Sequence, residues 1–182
     1  MPLSKAMEVG VVQVQPEAVI LSAPLAPNIN HRGTVFGGSA SAVAILAAWS
    51  LLHTRLFGEG IASRLVIQRN TMSYEWPKDG TFTAEAAIES AEARERFLRM
   101  LKRRGKARIT VTSVLNFGGK VAGRFEGEFV ALCNRCPINY STEYCVIKPR
   151  SAVGCGEVRT ASFAIDVHHC VQRILRAMHN VF

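Results

Sequence analysis

Two short segments rich in β-branched residues open the chain. Val9–Gln15 (VGVVQVQ) and Ala18–Ala23 (AVILSA) are separated by a Pro-Glu pair, which predicts two strands joined by a turn. Pro24 and Pro27 follow, and a residue before proline is biased away from helix. We therefore expect an extended, non-helical path as far as Asn30.

A long apolar segment follows Gly37-Gly38. Ser39 is the natural N-cap, which predicts a helix from Ala40 to about Phe57. Large apolar residues occupy all of its faces, namely Val43, Ile45, Leu46, Trp49, Leu51 and Leu52. Such a helix must be surrounded by lipid or by protein. Its most apolar window, Ala40–Leu52, is too short to predict a membrane span.

The next segments alternate between strand and helix patterns. Arg64–Tyr74 and Thr81–Ser90 have the composition of strands, and Ala107–Leu132 predicts a β-hairpin with its turn at Gly118-Gly119. Ala91–Gly105 has helical spacing, with acidic residues first and basic residues last, as suits the helix dipole. The order predicts an α+β fold: a curved antiparallel sheet around the long apolar helix, with an extra helix between the fourth and fifth strands.

The pattern ends near Cys133, so we predict one domain over residues 1–132 and a tail over 133–182. The tail begins without periodicity, which indicates loop, and ends with a candidate amphipathic helix around Ile174 and Leu175. It contains every cysteine, namely Cys133, Cys136, Cys145, Cys155 and Cys170. Their odd number argues against a disulfide framework, and their spacing matches no familiar zinc site, so no metal is expected.

Composition and charge narrow the class of protein. The chain has 182 residues, 48% hydrophobic and 20% charged, as in an ordinary globular protein, with a formal net charge of +8. A phosphate-rich partner fits this charge. The first residues lack the pattern of a secretory signal, so we expect a cytoplasmic protein.

The loop APNINHRGTVFGGS, with VIQRNTMSYEWP and GRFEGEFVAL further along, resembles the hotdog-fold thioesterases. The resemblance runs from Pro2 to about Leu132. The chain is similar in particular to the thioesterase-like domain that also occurs fused behind some bacterial acetyltransferases. It implies a helix wrapped by a sheet, dimers made by edge-to-edge sheet extension, and acyl thioesters of coenzyme A or acyl carrier protein as substrates.

Two positions depart from the broader hotdog pattern. Phe36 stands where histidine often precedes the two glycines. Ile45 stands where the phenylacetyl-coenzyme-A-type thioesterases carry a catalytic carboxylate, and no Asp or Glu occurs between Glu17 and Glu59. The usual base is therefore absent, and any base must come from elsewhere.

Candidate catalytic residues surround the start of the long helix. Backbone N–H groups there carry partial positive charge, and Gly37 and Gly38 would let a thioester oxygen approach them as an oxyanion hole. Alternatively, these glycines only permit a tight turn. Asn30 orients the attacking water or holds the loop as an Asx-turn. His31 and Glu75 are the candidate bases, although both residue types are commonly just solvated in such positions.

Candidate substrate-binding residues extend this site. Phe36, Ser39 and Tyr74 adjoin the catalytic candidates in the sequence. A basic run over residues 102–108 includes three candidates for gripping the phosphates of coenzyme A, namely Arg103, Arg104 and Lys106. Dipole complementarity and solubility are the alternative explanation, and they account better for most members of the run. Aromatic residues are not interleaved with it, so nucleic acid is not an expected partner.

Four functions compete at this point. The leading hypothesis is a homodimeric acyl-thioester hydrolase, either as a single dimer or as a dimer of dimers, with its site at the dimer interface and no cofactor. Because the helix lacks a carboxylate, a non-catalytic acyl-coenzyme-A or acyl-carrier binding module is the main alternative. A dehydratase, which normally needs a histidine and an acid on the central helix, is disfavoured. A zinc-binding interaction protein ranks last.

Overall fold

The computed structural model describes residues 2–133. Its strands are β1 (Gly10–Val14), β2 (Ala18–Ala23), β3 (Ser63–Tyr74), β4 (Phe82–Ala87), β5 (Lys106–Phe117) and β6 (Lys120–Cys133). They form one antiparallel sheet in the order β1-β2-β4-β5-β6-β3. All six were predicted, with shifts of a few residues at their ends. The loop and helix predicted beyond Cys133, and the four cysteines there, lie outside the described residues.

The long helix α2 (Gly37–Gly58) lies against this sheet and contacts β2, β3, β4, β5 and β6. Its largest buried side chains are Val43, Leu46, Leu51, Leu52 and Leu56. Ser113 of β5 donates a hydrogen bond to the Ala44 carbonyl at 3.0 Å, which fixes the helix against the sheet. Protein therefore covers most of the apolar helix: its length and composition would suit a membrane span, but 61% of the apolar window is buried. The predicted α+β architecture is confirmed.

The start of α2 differs from the prediction. Ser39 is not the N-cap: the helix begins at Gly37, and Phe36 takes the N-cap position with φ −62° and ψ 132°. Loop contacts set this boundary, since the Phe36 N–H donates to the Asn28 carbonyl at 2.7 Å and the Val35 N–H to the Lys78 carbonyl at 2.7 Å. Tertiary hydrogen bonds have overridden the local capping preference of serine.

The path before this loop also differs. Ala26–Asn28 forms a short 3₁₀ helix instead of extended chain, and its proline lies near the start, where a missing N–H breaks no hydrogen bond. The buried Asn28 side chain donates to the carbonyls of Pro24 (2.8 Å) and Met7 (3.0 Å). These bonds tie the turn to the region following α1 (Pro2–Ala6), a short helix that the sequence pattern did not predict.

The second long helix, α3 (Ala91–Arg104), matches its prediction. The Ser90 hydroxyl accepts a hydrogen bond from the Ala93 N–H at 3.1 Å, and Gly105 ends the helix in the left-handed region with φ 70°. Phe97 and Leu101 are buried against the core. The β5–β6 turn also matches, because Gly118 and Gly119 both have positive φ, as a tight hairpin requires.

Candidate active site

The loop before α2 is organised by Asn30. Its amide nitrogen donates to the Thr34 hydroxyl (3.0 Å) and, at longer range, to the Val35 carbonyl (3.4 Å). Its amide oxygen accepts from the N–H groups of Arg32 (2.8 Å) and Thr34 (3.3 Å). Both donor protons and both acceptor positions are therefore used within the loop. Of the two roles predicted for Asn30, this geometry is that of a residue that holds the loop.

Three backbone amides at the start of α2 have no hydrogen-bond partner among residues 2–133. They belong to Gly37, Gly38 and Ser39, whereas the next N–H, that of Ala40, donates to the Phe36 carbonyl at 3.0 Å. Unpartnered N–H groups at a helix N-terminus attract anions and carbonyl oxygens. The predicted oxyanion donors are thus available in the part of the chain that the structure describes.

A cavity of about 320 Å³ opens beside this helix start. Its lining combines the loop, the helix start and the segment after β3, through residues Val35, Gly37, Tyr74, Glu75, Trp76, Pro77 and Lys78. Three predicted site residues, Gly37, Tyr74 and Glu75, therefore meet in one pocket although the sequence separates Gly37 from the others by a helix and a strand.

The two glycines have different surroundings. A Cβ at Gly37 would lie 3.3 Å from the Tyr74 ring, whose hydroxyl donates to the Gly37 carbonyl at 2.9 Å. A Cβ at Gly38 would lie 2.3 Å from the ring of Phe36, which packs over this glycine. The missing side chain at Gly38 thus makes room for Phe36, whereas Gly37 faces the cavity. Of the two predicted donor residues, Gly37 is the one in the cavity lining.

Glu75 is held by an ion pair at the cavity wall. Its carboxylate lies 3.0 Å from the Arg124 guanidinium, and its N–H donates to the Ala122 carbonyl at 3.1 Å. Of the two candidate bases, Glu75 is the one in the cavity lining.

Lys78 was missed by the sequence analysis. Its side chain is only 3% exposed, and its Nζ donates to the carbonyls of Trp76 (3.3 Å) and Ala122 (3.5 Å). Burial lowers the pKa of Lys78 below its ordinary value of 10.5. A lysine directly after a strand-ending proline normally suggests a solvated turn, so no local signal identified this one.

Other predicted residues lie away from the cavity lining. His31 is exposed in the loop, and Ser39 lies in the first turn of α2. Arg103, Arg104 and Lys106 are exposed at the far end of the sheet. On β6, Lys106 pairs with Leu132, whereas Tyr74 pairs with Gly123, nine residues earlier on the same strand. At ~3.3 Å per strand residue, ~30 Å separates them from the cavity within one chain.

Within residues 2–133, this site contains no metal centre. Among the residues that it describes, no group of three or more His, Cys, Asp or Glu side chains could hold a metal ion. His53, the single histidine of α2, stacks on Trp49 with ring centroids 4.7 Å apart, and burial lowers its pKa below the ordinary value of 6.5. It serves the packing of the helix and does not line the cavity.

The comparisons with known proteins agree with this architecture. A family model described as "Putative thioesterase (yiiD_Cterm)" matches residues 1–133. A solved structure of a protein of unknown function from Chlorobaculum tepidum TLS is 29% identical and has a TM-score of 0.71, covering 74% of this chain and 88% of that one. No curated protein matches significantly.

Two structures below 25% identity support the fold. One, named a putative thioesterase, from Shewanella oneidensis, is 23% identical with a TM-score of 0.65, covering 72% of this chain and 89% of that one. The other, named a probable thioesterase, from Pseudomonas aeruginosa, is 20% identical with a TM-score of 0.59, covering 73% and 88%. Because the family model matches most of the chain and the fold agrees, the chain belongs to this thioesterase family of the hotdog superfamily.

Proposed function

We propose that this protein hydrolyses acyl thioesters of coenzyme A or acyl carrier protein in the cavity beside the start of α2. The observation that carries the proposal is that Gly37, with an unpartnered N–H among the described residues, and Glu75 line the same cavity. One supplies a donor for a developing oxyanion, and the other supplies a base. Thioester hydrolysis needs both.

The reaction follows from these two groups. The thioester carbonyl oxygen binds the Gly37 N–H, with help from Gly38 and Ser39, and an oxyanion-hole donor is typically worth ~3 kcal/mol in the transition state. Glu75 takes a proton as a water molecule attacks the carbonyl carbon. When the tetrahedral intermediate collapses, the carbon–sulfur bond breaks and the departing thiolate receives that proton. The products are a carboxylic acid and a free thiol.

We also propose that two copies pair through their β3 strands. β3 is an edge strand, and most of its residues are exposed. A second feature supports pairing: Ile45, Trp49, His53 and Phe57 recur every four residues on α2 and remain partly or largely uncovered, with Phe57 51% exposed. An exposed apolar stripe on a core helix is typical of a surface that a partner covers.

This pairing would explain the distant basic run. If two β3 strands pair antiparallel along their full length, Tyr74 of one copy lies beside Ser63 of the other. Lys106 of the second copy is then three strands away, or ~14 Å at ~4.8 Å per strand. The basic run that is remote within one chain would reach the neighbouring cavity, where it fits the phosphates of coenzyme A. The predicted residues Arg103, Arg104 and Lys106 therefore keep their proposed role, but toward the partner's site.

Release of thiol from acyl-coenzyme-A substrates tests the proposed activity. Glu75→Gln keeps the shape of the side chain but removes the base, and should lower kcat ~100-fold or more. Glu128→Gln is the matched control: Glu128 also pairs with an arginine, Arg108, at 3.3 Å, but lies outside the cavity lining. Equal activity of wild type and Glu75→Gln would exclude Glu75 as the base.

The alternative is a non-catalytic acyl-thioester binding module. It is favoured by the absence of a carboxylate on α2, where Ile45 occupies the usual position, and by the complete use of the Asn30 side chain within its loop. Binding of acyl-coenzyme A without release of thiol, across short, medium and aromatic acyl groups, would establish it. We place either activity in the cytoplasm, where such thioesters are made and used.

The shared site can be tested by mixing variants. Glu75→Gln damages one half of the proposed site, and replacement of Arg103, Arg104 and Lys106 by glutamine damages the other. Mixed dimers would contain one cavity with both halves intact, so activity should recover when the two inactive variants are refolded together. No recovery, with mixed dimers demonstrated by mass, would contradict a site shared between copies.

A further inference from the structure

Lys78 is a buried cation that has no carboxylate partner in the part of the chain that the structure describes. It is 3% exposed, and no ion pair among residues 2–133 includes it. Its two hydrogen bonds are long and go to the carbonyls of Trp76 and Ala122. An ammonium group has three donors, so one remains for a ligand. Buried charges are normally paired, because removing them from water is unfavourable.

The cavity does not supply the missing negative charge. Among the described residues, Glu75 is the only carboxylate in its lining, and that carboxylate is held by Arg124 at 3.0 Å. The start of α2 adds further positive potential on the same cavity. Lys78 therefore gives the cavity a net positive character that an anionic ligand would balance.

Lys78 and Gly37, the residue of the proposed oxyanion donor, both lie next to Tyr74. Tyr74 contacts both groups: its hydroxyl donates to the Gly37 carbonyl at 2.9 Å, and the Lys78 Nζ lies 5.9 Å from its ring centroid. Tyr74 thus stands beside both the helix start and the ammonium group. In the proposed reaction the Gly37 N–H already binds the carbonyl oxygen, so a negative group elsewhere on the acyl chain is the fitting partner for the ammonium group.

We propose that Lys78 is a specificity-determining residue that binds a carboxylate on the acyl group, so that the site prefers thioesters of short dicarboxylic acids. This inference rests on the thioesterase function proposed above and names its substrate class. The volume of about 320 Å³ suits a short acyl group. A charge-assisted hydrogen bond in a partly desolvated cavity provides the selectivity.

The test compares glutaryl-coenzyme A with pentanoyl-coenzyme A, whose acyl chains have equal length but only one of which ends in a carboxylate. The wild type should prefer the glutaryl substrate by about 10- to 100-fold in kcat/KM, which is the range of a hydrogen bond to a charged group. Lys78→Met removes the charge and keeps most of the side-chain volume. It should reduce this ratio to about 1, mainly through KM, while Lys78→Arg should retain a preference.

Lys120→Met is the matched control. It removes the same charge from an exposed residue whose Nζ lies 5.7 Å from the ring centroid of Trp76, a residue of the cavity lining. The glutaryl preference should survive this change. Loss of the preference in Lys120→Met as large as in Lys78→Met would indicate a general surface field and overturn the assignment to Lys78.

Three other results would also overturn the proposal. The wild type could hydrolyse both substrates equally. Lys78→Met could lower kcat equally for both substrates, which would place the ammonium at the thioester oxygen. It could also raise KM equally for both substrates, which would place the ammonium at the coenzyme A phosphates. Equal hydrolysis of the two substrates by the wild type overturns the proposal even if Lys78→Met does not fold.

Failure of the proposed hydrolysis is distinguishable from failure of this inference. If neither substrate releases thiol, titration calorimetry with the same two coenzyme A esters measures their binding directly. Tighter binding of the glutaryl ester, lost in Lys78→Met, would support the carboxylate site in a protein that does not hydrolyse it. Equal binding would reject the site.

Discussion

The two roles predicted for Asn30 differ in what they do to stability, and Asn30→Ala separates them. The side chain makes two short hydrogen bonds, at 2.8 and 3.0 Å, and two longer ones, at 3.3 and 3.4 Å. At ~1 kcal/mol for each short bond and about half that for each long one, the sum is ~3 kcal/mol. Water replaces part of it in this partly exposed loop, so we expect a loss of about 2 kcal/mol in the free energy of unfolding.

Urea denaturation followed by circular dichroism measures this loss, and thiol release measures the activity of the same preparation. Activity should fall as well, because the loop fixes Phe36 and hence the first amides of α2. Thr34→Val is the matched control: it removes one acceptor, the hydroxyl 3.0 Å from the Asn30 amide nitrogen, and should lower stability by about 1 kcal/mol. Unchanged stability in Asn30→Ala with a ~100-fold loss of kcat would refute the loop-holding role and place Asn30 on the attacking water.

Three further predictions concern stability. Ser90→Ala removes the N-cap of α3 and should lower the free energy of unfolding by about 1 kcal/mol in urea, and no change would contradict the observed cap. Burial lowers the pKa of His53, so the unfolded chain binds the proton first, and the free energy of unfolding should fall as pH drops below about 6.5. His53→Phe keeps a ring on Trp49 and should flatten this pH dependence between about pH 7.5 and 5. An unchanged slope in the variant would exclude His53 as its source. Gly38→Ala should lower the free energy of unfolding by about 1 kcal/mol because its Cβ meets the Phe36 ring. In a Phe36→Ala background the same change should stabilise the protein, because only the higher helix propensity of alanine remains. A double-mutant cycle in urea that shows no coupling between the two positions would contradict this packing.

Hydrophobic periodicity was sufficient for the architecture. α2 is apolar on every face, and only a surrounding layer of protein or lipid can accommodate such a helix, so a sheet around it followed from the many strand segments nearby. The spacing along β5 is equally informative: Ile109, Val111 and Leu115, two or four residues apart, share one buried face. These features depend on local spacing, which is fully written in the sequence.

Boundaries near the cavity needed more than local spacing. Ser39 has the better capping side chain, but Phe36 is the N-cap because tertiary hydrogen bonds fix the loop before it. These bonds run from the Phe36 N–H to the Asn28 carbonyl and from the Val35 N–H to the Lys78 carbonyl. The propensity of one residue is worth ~1 kcal/mol or less, and several tertiary hydrogen bonds together exceed it. The same competition produced the 3₁₀ turn at Ala26–Asn28.

By itself, then, the sequence determined the two long helices and the six strands, and it named Gly37, Tyr74 and Glu75 as candidate site residues. Only the tertiary structure decided that these three residues share a cavity, that Phe36 fills the space over Gly38, and that Lys78 is buried there. The physical reason is that burial and charge pairing depend on neighbours distant in the chain. A lysine in a polar turn becomes an unusual cation only when a sheet, a loop and a helix start close around it.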